Sequence, residues 1–218
     1  VTTQSEKSTS KSVKSGNFAW LCTLVTFDAV ILAAVVLPEA FASLSVSTIA
    51  TLRAISVILL PIIPLLLTNV ISQLMKARLV FWRWNNPYPG SRAFSKYVHS
   101  DDRINVEKLR KNVGEFPTDP KQQNSLWYEL YRRVQHDGAV VDAHRSFLLF
   151  RDMSALSILL LILTALAFYL FKFGLNDIGK IALIFLCQYL LAMMSARVTG
   201  ERFVCTVLSI HSTKKIAK

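Results

Sequence analysis

Residues 153–173 read MSALSILLLILTALAFYLFKF, twenty-one residues whose single charge, Lys172, stands next to the end. About 20 residues rising 1.5 Å each cross a hydrocarbon layer of about 30 Å, so this stretch alone is long enough to span a membrane as a helix. Three further stretches share the character. Asn17 to Leu37 carries one acid, Asp28, and Ile49 to Ile71 carries one base, Arg53. Ile181 to Ala196 carries no charge and reaches Val198 past Arg197; it is slightly short and needs Lys180 and Arg197 to extend toward water. The alternative, a soluble protein with four buried core helices, fits poorly, because such helices seldom run this far without charge. A secretory signal is the alternative for the first stretch, given Lys7, Lys11 and Lys14 before it and the small residues around Ala40 and Ala42. The apolar run is about twice a signal core, however, and reads as a span. The expected fold is therefore an all-α membrane protein with four transmembrane helices in two hairpins.

Basic residues set the orientation. The chain ahead of the first span has three, the segment from Lys76 to Asp152 has fourteen against nine acids, and the segment from Arg197 onward has five against one. The short connections, Pro38 to Thr48 and Gly174 to Gly179, contain no Lys or Arg. Positive charge is retained on the cytosolic side, so both termini and the central segment belong there. The expected organisation is a disordered tail (1–16), a first hairpin (17–75), a helical cytosolic module (76–152), a second hairpin (153–198) and a cytosolic tail (199–218). The expected location is a bacterial inner membrane.

The net charge of +11 fits a chain held against anionic lipid head groups, each surface base contributing about 1 kcal/mol. The module alone is only +5, so nucleic acid is compatible but not demanded. Cys22, Cys187 and Cys205 show neither disulfide nor zinc-ribbon spacing. Neither a metal site nor a cofactor is expected: His136 and His144 are two turns apart without a His-Glu-x-x-His pattern, and no glycine-rich phosphate loop or nucleophile elbow occurs.

Within the module, Asn105 to Val113 reads as a short helix closed by Gly114. Asp119, Pro120 and Gln122 form a start signal for the next helix, on which Trp127, Leu130, Tyr131 and Val134 share a face. That helix is expected to continue past Gly138, its weak point, through His144 into the third span as one rod.

Asp28 stands 11 residues from one end of its stretch and 9 from the other, near mid-bilayer, where an unpaired carboxylate is costly. An ion pair with Arg53 inside the first hairpin and a polar pathway shared with Gln188 are both consistent with it. Pro61 and Pro64 predict a kink in the second span and, with Gly138, are the candidate hinges.

The stretch 80–92, VFWRWNNPYPGSR, joins the second span to the module. Its first half fits an interfacial aromatic belt, and its second half turns the chain away. Trp82, Arg83, Trp84, Tyr88, Arg92 and Lys96 are the candidate ligand or partner site, since flat rings beside phosphate-binding bases suit nucleotides, single strands or a protein surface. His144, Arg145, Arg151 and Asp152 are the residues on which a membrane-face enzyme acting on lipid or phosphate substrates rests. An interfacial anchoring role suits them better, and no catalytic residue is assigned.

In outline, four spans, a cytosolic module and no catalytic signature, the chain resembles small membrane effector or sensor subunits of bacterial antiphage defence systems. The resemblance is one of architecture over the whole chain and carries over no functional residue. It implies self-association and a cytosolic protein partner or a nucleotide signal. Three functions follow as expectations: an oligomeric effector or channel-like sensor, a non-conducting anchor for a cytosolic partner, and the membrane-face enzyme.

Overall fold

The computed structural model describes residues 15–36, 64, 66–171 and 175–213. Every regular element among them is helical. We label the α-helices α1 (Phe18–Val36), α2 (Gln73–Phe81), α3 (Val106–Val113), α4 (Pro120–Val134), α5 (Gly138–Phe171) and α6 (Leu175–Thr213). Short 3-10 turns occupy Ser15–Asn17, Pro89–Arg92 and Tyr97–His99. Two helices, α5 and α6, are long and apolar enough to cross a membrane, and α1 is a shorter apolar helix. Arg53 and Pro61, together with the first short connection, lie outside the described residues.

The chain divides into two compact units, one of residues 1–72 and 152–192, the other of residues 73–151 and 193–218, so that α5 and α6 contribute to both. In the first unit, Phe168, Ile181 and Phe185 form a buried cluster with Leu32, Leu160, Leu161 and Ile178 packed on it. Small side chains let helices approach here, and Ser154, Ala155 and Ser157 are fully buried. Large apolar side chains point outward: Trp20 is 62% exposed, Leu183 62% and Tyr169 80%. An apolar surface around an apolar interior is what a lipid-facing bundle presents, whereas a water-facing one seldom leaves so much uncovered. Pro64 is buried in helical backbone, and its carbonyl accepts a 2.6 Å bond from the Thr68 hydroxyl. The connection before α6 is shorter than its sequence suggests, because Leu175 to Gly179 already belong to the helix.

The second unit is built on local signals. Asn105 caps α3 by accepting from the Lys108 amide at 2.9 Å, and Gly114 ends it at φ 95°, a conformation that disfavours a side chain. Asp119 caps α4 through the amides of Lys121 and Gln122, with Pro120 in the first turn. The inward face of α4 buries Gln123, Trp127, Leu130 and Val134. Gln123 sits where an apolar residue is expected. Its Oε1 accepts from the amides of Phe94 and Ser95 and from the Ser95 hydroxyl, each at 3.1 Å, and its Nε2 donates to the Thr118 carbonyl. It therefore satisfies backbone that the irregular stretch after Pro89 leaves without a ladder.

The expected single rod is two helices. α4 ends at Val134, and Asp137 caps the next helix, its Oδ1 accepting from the Ala139 amide at 3.1 Å. Gly138 is the first residue of α5, not a weak point within a helix. Asp137 is a good cap followed by a poor helix former, and together they override the continuing apolar period.

Candidate anion-binding cleft

The end of α2 fixes the stretch 80–92. Trp82 takes a left-handed φ of 52° while its amide still donates to the Arg78 carbonyl at 2.8 Å, which terminates the helix. A bulky residue there is strained, and Arg197 of α6 holds it. The Arg197 Nε donates to the Val80 carbonyl at 2.6 Å, and its guanidinium lies 4.7 Å from the Trp82 ring centre.

Three other aromatic rings of this region, those of Trp84, Phe81 and Tyr97, are also matched to cations. Arg78 lies 5.3 Å over Trp84 and donates from Nε to the Trp84 carbonyl at 3.2 Å. Arg92 lies 5.4 Å from the rings of Phe81 and Tyr97. Lys96 reaches Tyr97 at 5.3 Å. Burial pulls the Arg92 guanidinium below its ordinary pKa range, and its Nε and Nη2 are buried without a hydrogen-bond partner among the described residues. Of the six residues singled out in the sequence, Trp84 and Tyr88 line one cleft, and Trp82, Arg83, Arg92 and Lys96 are not among its lining residues.

That cleft has a volume of about 570 Å³ and lies between Leu74 and Arg78 of α2, the turn Trp84 to Tyr88, Ser91, and Lys121 and Asn124 of α4. Its lining contains two cations, three asparagines and no carboxylate. The size is that of a small-molecule site. Close packing brings its walls together: a Cβ on Gly90 would lie 2.6 Å from Trp127 Cε3 and 2.7 Å from Asn124 Oδ1, so only glycine lets the turn approach α4. Arg78 is positioned by Trp84, and the Lys121 side chain is exposed at the start of α4, whose first amides already donate to the Asp119 carboxylate.

A second cavity of about 410 Å³, sharing Tyr88 and Asn124 with the cleft, is lined mainly by aromatics, including Trp127, Tyr131, His144, Phe147 and Phe203. His144 stacks on Phe203 and its Nδ1 lies 3.2 Å from the Tyr131 hydroxyl. Burial, with a smaller contribution from Arg151, pushes the His144 pKa down to about 4, and the ring is neutral at neutral pH. Residue 144 precedes the apolar part of α5, which begins at 153. Arg151 and Asp152 are buried, with the Arg151 guanidinium 5.8 Å from the Phe147 ring, while Arg145 is exposed. This group is a packed aromatic cluster edged by charge. Asp101, near His99, is occupied by Arg103, with contacts of 2.6 and 2.9 Å that hold its carboxyl below the ordinary range.

In the other unit Asp28 and Gln188 do meet. Gln188 Nε2 donates to Asp28 Oδ2 at 3.1 Å and to Ser157 Oγ at 3.0 Å. Asp28 is 1% exposed and faces the interior of its unit. Sequence reading missed Ser157, Arg78 and Lys121; the only hint was that Ser157 interrupts an apolar run.

Comparison with known proteins gives no match to a family model, a curated protein or a solved structure.

Proposed function

We propose that the chain is a four-span protein of a bacterial inner membrane, with both termini cytosolic, whose cytosolic module receives a phosphate-bearing ligand and acts on the membrane as an oligomeric effector or sensor. The observation that carries this reading is the cleft of about 570 Å³ in which Arg78 and Lys121 face three asparagines beside Trp84 and Tyr88, with no acid among its lining residues. Arg78, held by Trp84, and the exposed Lys121 suit a polyanion, amides and a hydroxyl bind its edges, and a flat ring stacks on a planar group. The apolar exterior of the first unit and the distribution of Lys and Arg support the membrane setting. α5 and α6 belong to both units, which gives a ligand in the module helices through which to act.

The test is equilibrium binding of a fluorescent adenosine triphosphate and of inorganic triphosphate to the full chain in detergent. Saturable binding is expected, with the nucleotide held more tightly than triphosphate. Lys121→Glu weakens it about tenfold or more, as loss of a charge-assisted contact requires, and Lys111→Glu, on α3 and outside the cleft, does not. Equal binding by Lys121→Glu and the parent contradicts the reading.

A further inference from the structure

The polar group inside the apolar unit has a geometry that a carboxylate does not satisfy. Asp28 Oδ2 has Gln188 Nε2 at 3.1 Å, but Oδ1 is buried and has no hydrogen-bond partner among the described residues. A buried negative charge with one oxygen bare is far less favourable than a neutral acid with one oxygen bare.

Ionisable neighbours are few. On α1, Cys22 lies six residues before Asp28 and is partly buried. On α5, Asp152 precedes Ser157 by five residues, and between them and the helix end only Tyr169, exposed, is ionisable. On α6, Tyr189 is buried beside Gln188 and engaged by neighbours, Cys187 is exposed, and Lys180 and Arg197 stand eight and nine residues away along the helix. Among these described residues, none is a cation in contact with Asp28.

The bonds described are compatible with a neutral acid. Gln188 Nε2 donates both its hydrogens, to Asp28 Oδ2 and to Ser157 Oγ, and the Ser157 hydroxyl donates to the Met153 carbonyl at 2.9 Å. A proton on Oδ1 leaves every one of these bonds in place, with Oδ2 as the carbonyl oxygen of the acid.

We propose that Asp28, Gln188 and Ser157 form a proton-binding site within the apolar helices, occupied at neutral pH. The proton comes from water and resides on Asp28 Oδ1; its release leaves the carboxylate, with Gln188 Nε2 still donating to Oδ2 and to Ser157 Oγ. The site joins α1, α5 and α6, so its proton occupancy biases how these three helices hold together, independently of any ligand in the cleft.

Infrared difference spectra between the full wild-type chain and Asp28→Asn, both in lipid at pH 7, test this. A carboxylic-acid carbonyl band present in the wild type and missing from D28N is expected. It converts to carboxylate bands as pH is raised, and Gln188→Leu moves it to higher frequency because its hydrogen bond is lost. If D28N does not assemble, the shift in Q188L decides alone. Carboxylate bands only at pH 7, or an acid band that Q188L leaves in place, overturns the proposal.

Discussion

The imidazole of His144 lies flat on the ring of Phe203, with centres 4.7 Å apart and planes 5° from parallel. A protonated ring in this place is penalised by burial and by Arg151. The folded pKa, about 4, lies below the ordinary 6.5, so as pH falls below 6.5 the unfolded chain takes up a proton that the folded chain refuses. Stability is therefore full above pH 6.5 and falls toward pH 4, by an amount on the order of 1–2 kcal/mol once solvent screening is allowed for. Burial lowers the His211 pKa as well, which adds in the same direction. Thermal melts of the solubilised chain at pH 7 and pH 4.5 are expected to show the loss. His144→Phe, which keeps the stack without the titration, reduces it without abolishing it.

Gly90 has no room for a methyl group against Trp127. Gly90→Ala is expected to destabilise the module by about 1–3 kcal/mol, the usual cost of overpacking, and to disturb the shared walls of both cavities. Gly138→Ala, with nothing within 4 Å of its added Cβ, is the control and melts with the parent. Denaturation followed by far-ultraviolet circular dichroism measures both.

Gln123 satisfies two backbone amides at once. Gln123→Leu removes their acceptor at nearly constant volume and is expected to cost about 2 kcal/mol or more, since each buried amide left bare costs about 1–3 kcal/mol. Hydrogen exchange at Phe94 and Ser95 accelerates in this variant before exchange elsewhere in the module.

Arg197 reaches both the Val80 carbonyl and the Trp82 ring. Arg197→Ala is expected to lose about 1–2 kcal/mol and to raise the mobility of Trp82, read by its fluorescence anisotropy. Arg197→Lys does not restore it, because lysine lacks both the Nε donor and the planar face.

The sequence made local features visible. The cap at Asp119 and the stop at Gly114 depend on residues within a few positions of one another, and the Trp127, Leu130, Val134 stripe follows the helical repeat, whereas Asn105, read as the first helical residue, is the cap of α3. The apolar runs that became α5 and α6 were equally plain, because a span is defined by length and lack of charge. Gln188 and Asp28, 160 residues apart, were grouped in the sequence only by their depth in the membrane, and the meeting of Arg197 with the end of α2, across 117 residues, was hidden by separation. The cleft was half visible. Trp84 and Tyr88 announced themselves by type, but Lys121 belongs to a helix start that looked only structural, and Trp82 and Arg92, equally conspicuous, are spent on holding a helix end and on packing against Phe81 and Tyr97.

The proposed four-span topology puts the basic module on the same side of the membrane as both termini. Single cysteines placed at Ser10, Ser45, Asp102, Asn176 and Lys215, in a variant lacking Cys22, Cys187 and Cys205, test it through labelling with a membrane-impermeant maleimide in intact and opened cells. The account predicts that positions 45 and 176 label in intact cells, and that positions 10, 102 and 215 label only after opening. Labelling of position 102 from the same side as position 45 or 176 would contradict it.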